Sequence, residues 1–325
     1  MMLKVEQVEK SYPMGGLFSR RQQQVLHGIS LECGYGECVG IIGASGSGKS
    51  TLARLMLGIE KPDRGTVQFA GREVSRREAR GGRISAVFQD YTSSMNPFYT
   101  VEQVLLEPLR YRRSSAEARG VQGGVTAAVA ERSDGAELPR MGAAKPGGDV
   151  PWAEQQLRGE RAVIRQAAST RGWSMTGSKV RPRSGKSWPA ADRQAMLEQI
   201  DGLLHEVGLD ASYRSKYPHE LSGGQAQRVC IARALATDPS CIVLDEAVSS
   251  LDGSVQLQVL ELLKRLRQQY GMSYIFITHD LQAAAYLCDR VVIMHQGRVE
   301  ETVAISQLRD VKSEYAQRLL QAVLI

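Results

Sequence analysis

Gly43-Ala44-Ser45-Gly46-Ser47-Gly48-Lys49-Ser50 fits G-x-x-x-x-G-K-[ST], the pattern of a phosphate-binding loop. The apolar run Cys38-Val39-Gly40-Ile41-Ile42 leads into it and reads as a buried strand. Thr51 to Leu57 follows and reads as a helix, so the loop joins strand to helix, as the pattern requires. Its glycines let backbone N–H groups turn toward a polyphosphate, and the helix N-terminus adds partial positive charge. Lys49 is expected to reach the β- and γ-phosphates and the Ser50 hydroxyl to bind Mg²⁺. Gly43, Ser45, Gly46, Gly48 and Thr51 are the other expected nucleotide contacts. Taken alone, the stretch could also be a glycine-rich turn with no ligand.

Outward from the loop, short apolar runs alternate with turn residues. Leu3, Val5 and Val8 mark a strand over residues 3–8, and Tyr12 is expected in a loop that runs to Gln24. Val25 to Leu31 is a second strand, and a turn at Pro62-Asp63-Arg64-Gly65 precedes a third from Thr66 to Phe69. Ile84 to Phe88 reads as a strand ending at Gln89-Asp90, and Val101 to Tyr111 as a helix. Helical periodicity resumes at Met196, Leu197, Ile200, Leu203, Leu204 and Val207 and stops at Gly208. A helix from Ala226 to Ala236 precedes the buried strand Cys241 to Leu244, which Asp245-Glu246 ends. Val259, Leu262, Leu263 and Leu266 lie on one face of a helix closed by Gly271. Tyr274 to Ile277 is a strand ending at Thr278-His279-Asp280, and a last helix is expected from about Ile305 to the C-terminus.

Three groups therefore stand at strand ends, where doubly wound sheets place their ligands. Asp245 fits a Mg²⁺-holding aspartate, directly or through water. Glu246 can polarise a water that attacks a γ-phosphate. The imidazole of His279 can bond that phosphate and sense its loss. Each of these also has a plainer reading, as solvated acids at a strand end and a structural histidine.

Composition narrows the class. Hydrophobic residues make up 42% of 325, enough for a core, and no stretch holds the 18 apolar residues of a transmembrane helix. The first residues lack the apolar stretch of a secretory signal, so a cytoplasmic chain is expected. The five cysteines form no C-x-x-C pair; three sit in apolar runs and read as buried thiols, which argues against zinc. The net charge of +6 is concentrated between Ser114 and Ala191, which holds 12 Lys and Arg against 7 Asp and Glu. The rest offers no electrostatic case for nucleic-acid binding. In that segment Leu, Ile, Val and Phe supply 9 of 78 residues, so it reads as an insertion, largely disordered. All three tryptophans (Trp152, Trp173, Trp188) fall in it, and a basic arm touching lipid or a partner is the functional alternative to a tolerated surface loop.

Leu221-Ser222-Gly223-Gly224-Gln225 reproduces the LSGGQ signature of ATP-binding cassette (ABC) ATPases. With the phosphate-binding loop, Gln89, Asp245-Glu246, Ser250-Leu251-Asp252 and His279 in this order, the chain resembles that family outside the insertion. The resemblance implies an α/β fold: a P-loop NTPase ABC ATPase domain with a RecA-like core, an antiparallel β subdomain and a helical subdomain over about 91–236. The single domain spans 1–113 and 192–325, with 114–191 inserted. The family implies ATP and Mg²⁺ as ligands, with Tyr12 stacking on adenine and Gln89 coupling Mg²⁺ and the attacking water to a permease. Ser222 and Gly224, with Gly223 and Gln225, face the nucleotide of an opposite subunit. Asp252 links the two sites, and His279 is the switch. The Gly223-Gly224 pair opening a helix is a second anion site, useful if it faces a nucleotide across an interface.

Gln89-Asp90, Ser94-Met95-Asn96-Pro97 and Glu107-Pro108-Leu109 resemble the peptide/opine/nickel importer ATPases. Gln225 to Ala236 and Asp245-Glu246-Ala247-Val248-Ser249-Ser250-Leu251-Asp252 look most like the nickel-import branch. The tail Ser313-Glu314-Tyr315-Ala316-Gln317-Arg318-Leu319-Leu320 resembles the end of peptide-transporter ATPases. The implied partners are a paralogous ATPase in a heterodimer, with a homodimer as the alternative, two membrane permease subunits and, indirectly, an extracytoplasmic substrate-binding protein, at the cytoplasmic face of the membrane. A dipeptide, oligopeptide or metallophore cargo is the alternative. A soluble ATPase acting on DNA or ribosomes, and a decayed cassette that binds ATP without transporting, are the competing classes.

Overall fold

The computed structural model describes residues 1–14, 22–75, 81, 83–90, 94–117 and 190–321. Two sheets organise them. The first is antiparallel, in the order β2-β1-β4-β5, and is built from β1 (Leu3–Pro13), β2 (Gln22–Cys33), β4 (Arg64–Phe69) and the two-residue β5 (Arg72–Glu73). The second has six strands in the order β10-β9-β3-β8-β7-β6: β3 (Cys38–Ile42), β6 (Ile84–Phe88), β7 (Cys241–Asp245), β8 (Ser273–Thr278), β9 (Arg290–His295) and β10 (Arg298–Ala304).

Within the second sheet, β6, β7, β8, β3 and β9 run parallel and β10 closes the edge antiparallel to β9. Strands β3, β7 and β8 are buried along their whole length, which explains their unbroken apolar sequences. Their carboxyl ends come level, because Ile42 pairs with Thr278, Ile277 with Asp245 and Asp245 with Phe88. That alignment brings the loop after β3 and the residues after β6, β7 and β8 to one edge. Between the sheets lies a core of Leu3, Val5, Leu26, Ile29, Val39, Ile41, Leu52, Leu55, Met56, Phe69, Ile275 and Ile277, all essentially inaccessible.

The helices are α1 (Lys49–Met56), α2 (Val101–Glu117), α3 (Ala190–Glu206), α4 (Gly223–Leu235), α5 (Gly253–Tyr270), α6 (Leu281–Leu287) and α7 (Glu314–Gln321). Gly271 ends α5 in the left-handed conformation, as its position past the last apolar residue implies. Between Val101 and Leu235 the described elements are helices and 3₁₀ turns. At its base, Arg113 donates to the Asp192 carboxylate at 3.0 Å, joining the end of α2 to the start of α3.

Several expectations are corrected. Strand β1 reaches Pro13, so Tyr12 lies on a strand paired with Gln23 and not in a loop. The last helix is interrupted: a 3₁₀ turn spans Ile305–Asp310 and α7 begins at Glu314, because Glu301 accepts the Lys312 and Ser313 N–H groups and fixes a break between them. Helix α2 continues past residue 113 to Glu117, so 114–117, like 190–191, are helical. The reading of the remaining insertion, 118–189, lies outside the described residues, as do the tryptophans. All five cysteines are buried and free. Among the described residues no helix is long and apolar enough to cross a membrane.

Candidate functional site

The loop between β3 and α1 is shaped by close backbone approach. A Cβ on Gly43 would fall 2.1 Å from the Met294 carbonyl oxygen, and one on Gly48 would fall 2.7 Å from Leu26, with φ at 99°. Neither site admits a larger residue without moving backbone or core. Lys49 is buried, and its ammonium donates to the Gly43 and Ala44 carbonyls at 2.8 and 2.9 Å. Burial pulls its pKa down, while the Glu246 and Asp245 carboxylates oppose that shift. The lysine thus curls back on its own loop, holding a charge that the interior tolerates poorly.

Asp245, the last residue of β7, is also buried. Burial raises its carboxyl above the ordinary range of 3.8, and the Ser50 hydroxyl, 3.4 Å from Oδ1, pulls the other way. Glu246 follows with φ at 50°, a left-handed backbone that a non-glycine residue rarely adopts. Its N–H donates to the Ile277 carbonyl at 2.9 Å, and its own carbonyl accepts from the Ser249 hydroxyl at 2.9 Å. These bonds hold the strained turn and aim the carboxylate along the sheet edge. Glu246 Oε1 lies 3.6 Å from His279 Nδ1. Ser45, Lys49, Glu246 and His279 together line a cavity of about 410 Å³.

The remaining expected residues stand apart from that cavity's lining. Gln89 is exposed, one residue beyond Phe88, which pairs with Asp245. Thr51 is buried in α1 and its hydroxyl accepts from Arg54 at 3.3 Å. Tyr12 donates its hydroxyl to Glu60 at 2.6 Å, and Glu60 pairs with Arg54 at 2.8 Å. Ser222 caps α4 in a capping box, accepting from the Gln225 N–H at 3.3 Å while the Gln225 side chain accepts the Ser222 N–H at 3.0 Å. The Gln225 amide also donates to the Tyr213 hydroxyl at 3.0 Å. Gly223 and Gly224 form the first turn of α4, and exposed Asp252 precedes α5. Ser222 and Asp252 are exposed, the other signature residues are partly buried, and among the described residues no phosphate-binding loop stands opposite them.

Sequence reasoning missed the contacts that tie these groups together. Gln256 donates to Asp280 at 2.7 Å, and the same carboxylate accepts the Gln282 and Ala283 N–H groups, capping α6 beside His279. The Asp280 cap could have been read from its place between a strand and a helix; the Gln256 bond has no local signal. The Arg54–Glu60–Tyr12 chain likewise joins residues that no pattern links.

The family model described as ABC transporter matches residues 26–249. The chain is 38% identical over 320 residues to the Metal-staphylopine import system ATP-binding protein CntF of Staphylococcus aureus (strain NCTC 8325 / PS 47), covering 98% of each. It is 35% identical over 306 residues to the Nickel import ATP-binding protein NikE of Pseudomonas putida, covering 92% of this chain and 84% of that one. In fold it resembles the dimeric post-hydrolysis state of the ATP-binding cassette MJ0796 bound to ADP and Pi, with a TM-score of 0.62 and 24% identity over 94% of this chain and 99% of that one. A family model across most of the chain, and identity over most of the length of two import ATP-binding proteins, have one consequence: the chain belongs to the ABC transporter family and hydrolyses ATP in coupling to transport.

Proposed function

We propose that this chain energises an importer of nickel or a related metal chelate through a membrane permease. The observation that supports the cargo is near-full-length identity to relatives named for metal-staphylopine import and for nickel import. In this reading the metal is cargo, met by other subunits.

The roles assigned to the site follow from its chemistry. Lys49 exchanges the Gly43 and Ala44 carbonyls for β- and γ-phosphate oxygens, which match its charge better. Glu246 polarises the attacking water, and His279, beside it, bonds the γ-phosphate. Ser50 and Asp245 offer two hard oxygen donors facing each other, a set that fits Mg²⁺. Mg²⁺, when bound, neutralises charge on the polyphosphate. Gln89, exposed past β6, suits a residue that reports to a permease. Tyr12, fixed through its hydroxyl by Glu60, offers its ring to adenine.

Ser222, Gly223, Gly224 and Gln225 contribute to the nucleotide site of an opposite subunit, with Asp252 between the two sites. The structurally similar cassette noted above is itself a dimer, which supports this reading. A paralogous ATPase and two permease subunits complete the assembly at the cytoplasmic face of the membrane.

The test is uptake. Cells lacking this chain should lose accumulation of radioactive nickel, supplied free or with a chelator, and regain it with the wild type but not with Glu246→Gln. Unchanged accumulation of both forms, with loss of dipeptide uptake, would overturn the metal assignment.

A further inference from the structure

The C-terminal helix α7 makes one contact that neither the hydrolytic chemistry nor the subunit pairing uses. The Tyr315 hydroxyl accepts the backbone N–H of Ala44, the second residue of the phosphate-binding loop, at 3.0 Å across 271 positions of sequence. The Tyr315 ring stacks on His295, with centroids 4.0 Å apart and planes within 14°. His295 ends β9, and the turn it begins runs under the same loop: the Gly297 N–H donates to the Ser47 carbonyl at 3.1 Å. Helix α7 is itself anchored at its start, where Glu301 accepts the Lys312 and Ser313 N–H groups.

The contact falls on a particular peptide plane. The Gly43–Ala44 peptide presents its carbonyl to the Lys49 ammonium at 2.8 Å and its N–H to Tyr315. Both ends of that plane are therefore held in the nucleotide-free chain. When Lys49 turns to a polyphosphate, the carbonyl loses its partner and the N–H keeps its own. The remaining bond preserves the plane's orientation, and with it the entry of the loop.

We propose that Tyr315 is a positioning residue for nucleotide binding, and that helix α7 is a strut holding the first peptide of the phosphate-binding loop while Lys49 changes partners. The proposal rests on ATP binding at this loop, and a wild-type chain that bound no ATP would instead refute that assignment.

The experiment compares the full-length wild type with Tyr315→Phe, which keeps the ring on His295 and removes only the hydroxyl, and Tyr315→Leu, which removes both. Fluorescent ATP-analogue titration, steady-state hydrolysis with the partner ATPase, and thermal melting are read together. Loss of one neutral hydrogen bond predicts that Tyr315→Phe raises Kd and KM about two- to tenfold. The kcat at saturating ATP should change less than twofold and Tm should stay within a few degrees. Amide exchange in the 43–47 segment should quicken in the nucleotide-free variant, and Tyr315→Leu should show at least the same rise in Kd. Unchanged Kd and KM in Tyr315→Phe would overturn the proposal. So would a fall in kcat that tracks a lowered Tm with KM intact, since that pattern describes a purely structural contact.

Discussion

Gly224→Ala probes how the signature helix is seated on its neighbour. A Cβ at Gly224 would lie 2.4 Å from Cγ1 of Val255 and 3.8 Å from its Cβ. Val255 stands in the first turn of α5 and is β-branched, so its methyls cannot swing aside within the helix. The added methyl must push α4 and α5 apart, an overpacking cost of about 1–3 kcal/mol. Val255→Ala alone removes two half-buried methyl groups, a loss of roughly 1 kcal/mol at about 0.8 kcal/mol per fully buried group. Independent effects would sum to about 2–4 kcal/mol, whereas relief of the clash leaves the double variant near the Val255→Ala level, about 1 kcal/mol. Urea and thermal melts of the four proteins measure this; about 2–4 °C per kcal/mol is expected for a chain of this size. A double variant as unstable as the sum would refute the steric argument. Where stability is restored, residual loss of hydrolysis in the double variant reports what the glycine does on its outward face.

Glu246→Gln should cut ATP turnover at least about a hundredfold and leave binding of a fluorescent ATP analogue intact, since shape is kept and the carboxylate is lost. Lys49→Ala should weaken that analogue's binding by about tenfold or more, because hydrogen bonds to charged groups contribute roughly 1.5–3 kcal/mol; unchanged affinity would mean the loop is not used. Burial raises the Asp245 carboxyl above 3.8, so the native state holds that proton more tightly than the unfolded chain. Its contribution to stability is full below pH 3.8 and disappears as pH rises through the raised value. Asp245→Asn should therefore abolish hydrolysis while its nucleotide-free Tm gains on the wild type as pH rises through that window; a pH-independent difference would count against it.

The parallel strands were legible because burial on both faces leaves no room for polar residues. Cys38 to Ile42 and Cys241 to Asp245 stand out for that reason, and the acids of Asp245-Glu246 mark where burial ends. Strand β1 was half missed because its distal part, Glu9 to Pro13, is partly exposed and its register shifts, which breaks the alternation. Helix α2 accommodates Pro108 in its interior, against the usual expectation for that residue. The phosphate-binding loop, the acids and the signature were legible as local patterns. What surrounds them was not: the left-handed turn at Glu246 and the Gln256–Asp280 bond depend on neighbours supplied by other strands and helices.

The ion pair of Arg113 with Asp192 has a consequence for how the polypeptide can be divided. Because the Arg113–Asp192 pair joins α2 to α3, a peptide-bond cut within 118–189 leaves every described element whole on one fragment or the other. The two fragments would be deeply interleaved, since β3 of the first lies between β9 and β8 of the second, and β6 of the first flanks β7 of the second. Neither fragment alone could complete the six-stranded sheet. The cassette is thus a natural candidate for bimolecular complementation, with ATP turnover rising as the product of two separately produced halves.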